Sequence, residues 1–231
     1  MKAPLNEPDF LPGEQAKACL FDLDGVLVDT AGYHFKAWRK LANKLGFDFT
    51  EVQNEELKGI SRMESLNKIL GWGGIRLSET EKERLAAEKN NDYVAMISTM
   101  TPVEVLPGAV RFLEDIKAAG YRIALGSASK NAGLILARTG LEAFFDEVVD
   151  GNRVSRSKPD PEVFLAGARM LQVEPACCIV FEDAVAGIEA ARRAGMKAIG
   201  IGDAAVLQKA DIVVPGLDHL TVAQLTQLNE F

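Results

Sequence analysis

Two aspartates separated by one residue, Asp22 and Asp24, close the first apolar run of the chain, and Gly25 behind them lets the backbone turn sharply. Residues 18–21 read as a short buried strand, so both carboxylates leave its carboxyl end toward the same side. In an open α/β sheet the crevice beyond the carboxyl ends of the strands is where ligands bind. Two acids this close invite a divalent cation. A calcium loop fails on spacing, because Gly25 is the fourth residue counted from Asp22 instead of the sixth, and the twelfth is Tyr33 instead of an acid.

Beyond the acidic turn the chain does not continue the sheet. Apolar residues recur at helical spacing over 31–45, with His34, Trp38, Leu41 and Leu45 on one stripe and Gly46 as the stop. Further helices are predicted over 50–58, 61–70 and 78–100, with Ser61 and Glu64 forming a capping box and 71–74 forming a glycine-rich loop. From Pro102 onward short apolar strands alternate with helices. Strands are expected over 121–126, 146–149, 177–181, 197–201 and 211–214; helices over 110–119, 131–139, 161–171, 184–194 and 221–228. That order implies an α/β fold, a parallel sheet with helices on both faces. The expected organisation is an N-terminal arm at 1–17, a core built from 18–30 and 102–231, and an all-helical cap inserted at 31–101 over the strand ends.

Composition narrows the partners. A chain of 231 residues that is 48% hydrophobic can bury a substantial core. Its net charge of -7 argues against nucleic acid and anionic membrane, which need a basic footprint. No apolar run reaches the length of a membrane span, and the polar, proline-rich start lacks a signal-peptide core, so a cytoplasmic protein is expected. Cys19, Cys177 and Cys178 have no metal-ligand spacing and read as small, reduced, buried hydrophobes.

A parallel sheet would gather the residues just past each strand around Asp22. Ser127, Ala128, Ser129, Lys130 and Asn131 form a hydroxyl-rich turn into a helix, which suits a phosphate or an ordinary helix start. Glu182 and Asp183 also head a helix, where acids are favoured in any case. Lys158, followed by Pro159, is either a surface lysine or the cation that neutralises this crevice. Four acids from two strands would repel one another without a cation, and oxygen ligands with retained waters suit Mg²⁺.

Taken together, Asp22-Leu23-Asp24-Gly25, Ser127, Lys158 and Glu182-Asp183 resemble the four signature elements of the haloacid dehalogenase-like phosphotransferases. The resemblance spans the whole core and implies a Rossmann-like parallel sheet with an inserted helical cap. It also implies Asp22 as the nucleophile that becomes an aspartyl phosphate, and Asp24 as general acid and base. One Mg²⁺ would be held by Asp22, the backbone carbonyl of Asp24 and Asp183, with Glu182 assisting. Lys158, Ser127 and backbone N–H groups would spread the charge on the transferring group.

Residues 29–38, 57–62, 89–93 and 127–131 also resemble the branch that interconverts β-D-glucose 1-phosphate and β-D-glucose 6-phosphate through β-glucose 1,6-bisphosphate. By that resemblance Arg62, with Ser129, Lys130 and Asn131, grips the far phosphate, while Thr30, His34 and Lys89 sense the closed cap and position Asp24. Trp38, Leu57, Gly59, Ser65 and Ala128 would complete the binding surface. On their own, Arg62 and Lys89 read as solvated helix charges and His34 as a packed helix-face histidine. The implied partners are small sugar phosphates, met by a monomer. Two rivals share the acidic pocket: a sugar-phosphate or phosphoglycolate phosphatase, and a phospho-receiver module, which needs no helical insertion. The sequence departs from the pattern in its long arm, the glycines of 71–74, and Gly126 where alanine is common.

Overall fold

The computed structural model describes residues 17–229, so the arm expected at 1–17 lies, apart from Lys17, outside the described residues. Six parallel strands form one sheet in the order β3-β2-β1-β4-β5-β6. They are β1 (Ala18–Phe21), β2 (Arg122–Gly126), β3 (Glu147–Val149), β4 (Cys178–Glu182), β5 (Lys197–Ile201) and β6 (Ile212–Val214). The first strand in sequence is therefore central, flanked by β2 and β4, with Phe21 level with Leu125 on one side and Phe181 on the other. Strand order reverses at this point, so the turns after β1, β2 and β4 open into one crevice.

Every residue of β1 is buried, which suits a strand covered on both faces. On one face Phe21 stacks on Phe181 with ring centroids 4.3 Å apart, and Phe112 meets both rings edge-on. Phe112 comes from α5 (Ala109–Ala118); α6 (Ala132–Thr139) and α9 (Val222–Asn229) pack on the same side. The other face is covered by α7 (Glu162–Leu171) and α8 (Val185–Arg193). Gly126 has a packing reason here, because a β-carbon on it would come within 2.9 Å of the Phe164 ring.

Between β1 and α5 stand α1 (Ala31–Lys44), α2 (Glu51–Glu55), α3 (Arg62–Trp72) and α4 (Glu79–Ile97). Trp38, Leu41, Phe49, Leu66, Ile69 and Leu85 give this block a hydrophobic cluster of its own. Thr50, Ser61 and Ser78 each begin a helix with a reciprocal capping box. The chain leaving the core and the chain returning to it run side by side: Leu106 N donates to Leu27 O at 2.9 Å and Asp29 N to Glu104 O at 3.0 Å.

Three local expectations change. Gly71 and Trp72 belong to α3 instead of a loop, because Trp72 packs on Phe49 with centroids 6.1 Å apart and holds the last turn in place. The helix expected over 50–58 is confined to α2, and the chain then turns at Gly59, where φ is +74°. Four 3₁₀ turns, among them Pro102–Glu104 and Pro175–Cys177, are too short to leave a periodic signal. Cys19 and Cys178 are buried, whereas Cys177, in one of these turns, is half-buried. No helix among the described residues is long and apolar enough to cross a membrane.

Candidate active site

Strand β1 hands over directly to the acidic turn. Asp22 N donates to Phe181 O at 2.9 Å, extending the ladder by one residue, and Asp24 N then donates to Asp22 Oδ2 at 3.0 Å. Gly25 follows with φ +81°, and a β-carbon there would overlap the Asp183 carboxylate. Only glycine lets the turn after β1 and the carboxylate after β4 approach this closely.

Beneath Asp22 lies a buried ion triad. Lys158 Nζ donates to Asp22 Oδ1 and, at 2.5 Å, to Glu182 Oε1; the other oxygen of Glu182 accepts from Ala184 N at 2.8 Å. Burial works against the Lys158 charge, but Asp22 and Glu182 outweigh it and hold the ammonium firmly protonated. The Lys158 ammonium lies over the Phe164 ring, 4.8 Å from its centroid, and the Lys158–Pro159 bond is cis. Glu182 thus has both oxygens engaged by protein donors. Expected to assist a cation, it makes its direct contacts with Lys158 and with the backbone just ahead of α8.

Above the triad a cavity of about 590 Å³ lies between core and helical block. Asp22, Asp24 and Asp183 line its floor; Thr30, His34, Trp38, Leu57, Gly59, Arg62, Ser65 and Lys89 line the side of the helical block. Ala128, Ser129, Lys130 and Asn131 line the wall beyond β2. Ser127, Lys158 and Glu182 do not face the cavity but support it from below: Ser127 Oγ accepts from Ser129 N at 3.1 Å and so shapes the turn.

Charge is distributed unevenly along this cavity. On the floor, burial and then the neighbouring Asp22 push the Asp24 carboxyl up to about 6, while a hydrogen bond donated by Thr30 Oγ1 opposes them. Burial likewise raises Asp183 to about 6 against the pull of Lys58. In the roof Lys89 Nζ lies 3.0 Å from His34 Nδ1 and above the rings of Trp38 and Tyr93. Burial and then Arg62 lower Lys89 to about 7; burial, Lys89 and Arg62 together keep His34 neutral. An acid–base floor thus faces a basic roof.

The floor suits a hard dication. Among the described residues no three acidic, histidine or cysteine side chains form a ready cage. What is present is two carboxylates, Asp22 and Asp183, beside the Asp24 backbone, with Asp183 cradled against Gly25. A site this sparse matches Mg²⁺, which keeps several waters and takes substrate oxygens as ligands.

Several lining residues were not singled out from sequence. Lys58 pairs with Asp183 at 3.1 Å, and Asn90 accepts from Asn131 Nδ2 at 2.9 Å, joining α4 to the turn after β2. Tyr93 packs on His34 with centroids 4.2 Å apart. All three sit in segments whose neighbours, Gly59 and Lys89, did carry a signal.

Comparison with known proteins agrees with this layout. Residues 16–195 match a family model described as haloacid dehalogenase-like hydrolase. The chain is 46% identical over 211 residues to β-phosphoglucomutase of Bacillus subtilis, covering 90% of this chain and 93% of that one. It is 33% identical over 186 residues to a phosphorylated carbohydrates phosphatase of Thermotoga maritima, covering 79% and 83%. A crystal structure of β-phosphoglucomutase from Clostridium difficile superposes with a TM-score of 0.90 at 45% identity, covering 94% of this chain and 98% of that chain.

Proposed function

The chain belongs to the haloacid dehalogenase-like hydrolase family, and on that premise we propose that it is a β-phosphoglucomutase that interconverts β-D-glucose 1-phosphate and β-D-glucose 6-phosphate by way of β-glucose 1,6-bisphosphate. The observation that carries this reading is the two-ended cavity: a nucleophile and a proton carrier, Asp22 and Asp24, face a separate basic cluster of Arg62, His34 and Lys89. A phosphatase acting on one phosphate needs only the first end. A mutase must also hold the phosphate that is not being transferred.

In this mechanism Asp22 attacks the phosphorus of the bisphosphate, the P–O bond to the sugar breaks, and Asp24 delivers its proton to the departing sugar oxygen. In the reverse sense Asp24 removes the proton from the attacking hydroxyl. A carboxyl poised near 6 is suited to both duties at neutral pH. Thr30 holds Asp24 in place, while Lys158, itself held by Glu182, neutralises Asp22. The backbone N–H of Ala128 takes one of the transferring oxygens. Family membership implies Mg²⁺; when bound by Asp22, Asp183 and the Asp24 carbonyl it would neutralise charge on the transferring group.

Arg62, with Ser129, Lys130 and Asn131, grips the far phosphate by its planar fork. Trp38, Leu57, Gly59, Ser65 and Ala128 shape the sugar site between the two ends. The helical block excludes water while the aspartyl phosphate exists, so that sugar is favoured as acceptor. The partners of this reading are small sugar phosphates, the working form is a monomer, and the compartment is the cytoplasm.

The test is an anomer-resolved assay with β-glucose 1-phosphate, Mg²⁺ and a trace of bisphosphate, measuring glucose 6-phosphate and orthophosphate together. Glucose 6-phosphate in large excess over orthophosphate is expected. Orthophosphate matching the substrate consumed would transfer the chain to the phosphatase reading, which its Thermotoga relative makes the natural alternative.

A further inference from the structure

Asp183 Oδ2 occupies a narrow position. It lies where a β-carbon of residue 25 would stand, and the same oxygen takes Lys58 Nζ at 3.1 Å. Lys58 comes from the helical block, on the turn between α2 and α3, and its ammonium also pairs with Glu55 Oε2 at 2.8 Å. Among the ion pairs of the described residues, Lys58–Asp183 is the one that ties the helical block to the core. The next residue, Gly59, is pressed against the start of α8, where a β-carbon would come within 3.3 Å of Ala184 Cβ. The turn therefore seats on the core at the carboxylate proposed above as a metal ligand.

We propose that Lys58 is a built-in counter-ion for Asp183 that competes with the divalent cation, so that the Lys58 contact and metal loading exclude each other. The inference rests on the preceding reading only in taking Asp183 as a metal ligand. The physical reason is local. An ammonium and a dication cannot share one carboxylate oxygen without strong like-charge repulsion. With Lys58 in place the buried carboxylate is neutralised, so the cap closes on the core without the ion. When the ion arrives, Lys58 must withdraw from Asp183, while the contact of Gly59 with the start of α8, which does not involve the Lys58 side chain, keeps the turn seated. Lys58 is half-exposed and its partner Glu55 lies beside it, so it has somewhere to go.

The experiment titrates magnesium chloride, with no sugar phosphate present, into the full chain and into Lys58→Met and Lys58→Arg. Binding is read by calorimetry and by tryptophan fluorescence. Lys58→Met is expected to bind Mg²⁺ about three- to fivefold more tightly, the scale of a partly exposed ion pair, with Lys58→Arg close to the parent. Unchanged or weaker Mg²⁺ binding by Lys58→Met would overturn the proposal. So would Mg²⁺ binding that Asp183→Asn leaves intact, since Asp183 would then not be the contested ligand. Because no substrate is present, either result is independent of whether the chain turns over β-glucose 1-phosphate.

Discussion

His34 Nδ1 lies 3.0 Å from the ammonium of Lys89, a contact between α1 and α4 that sets a basic pair into the roof of the cavity. When Lys89 is protonated its ammonium donates, so the neutral histidine then accepts at Nδ1 and carries its own proton on Nε2.

This pairing gives the reaction a pH dependence. Burial, then Arg62, bring Lys89 down to about 7, with Asp24 opposing. Lys89 is therefore charged below that pH and loses its proton as pH rises through it, while a sugar phosphate stays dianionic. KM for the phosphorylated sugar is expected to rise with pH above neutrality, by up to about tenfold per unit. In Lys89→Met the KM should be high at all pH and its alkaline limb flat. Steady-state KM measured from mildly acidic to mildly alkaline pH checks this.

Asp22→Asn should abolish both the phosphoenzyme and turnover, as seen by intact-protein mass after bisphosphate priming. Asp24→Asn should still accept Mg²⁺, because the proposed ligand is its backbone carbonyl, while turnover falls by at least ~10²-fold. A turnover near that of the parent would remove Asp24 as proton carrier.

Gly25→Ala separates geometry from charge. The substitution alters no ionisable group, yet its methyl would overlap Asp183 and force a left-handed φ of +81° on a non-glycine residue. Stability should fall by about 1–2 kcal/mol, and Mg²⁺ affinity should fall with activity because Asp183 is displaced. Calorimetric titration beside a urea denaturation curve distinguishes the two effects.

Lys158→Met should cost about 3–5 kcal/mol, since it leaves Asp22 and Glu182 buried without their cation. Adding Glu182→Gln should recover part of that loss by removing one stranded charge. Activity should not return with stability, because Asp22 remains without its partner. Urea midpoints of parent, single and double variants test the ranking.

Arg62→Ala should weaken the handling of bisphosphate by about tenfold or more in KM, and barely affect hydrolysis of a small monophosphate ester. Equal losses for both substrates would place Arg62 outside a distal phosphate site.

The alternation of short apolar strands with capped helices was legible to within a few residues, because strand and helix periodicity act over a few neighbours. So was the acidic turn at Asp22, Asp24 and Gly25, whose parts lie within four positions of one another. The helical insertion was legible too, since residues 31–101 carry helical periodicity and the Ser61–Glu64 capping box but no strand alternation. Glu182 illustrates the limit. Its place after β4 marked it as an acid near the site, yet its task of holding Lys158 depends on a side chain 24 positions away.

By itself, then, the sequence determined which elements form, which strand carries the acids and which residue types are available near them, since those depend on short-range sterics and hydrophobic spacing. Only the tertiary structure decided which groups face one another: Lys58 against Asp183, Asn90 against Asn131, Lys89 against His34, and Ser127 below the cavity instead of in it. Lys89 and His34 meet between two helices of one body, whereas Lys58–Asp183 and Asn90–Asn131 arise where two separately packed hydrophobic bodies meet. The relative placement of those bodies is a sum over many distant contacts that no local pattern encodes.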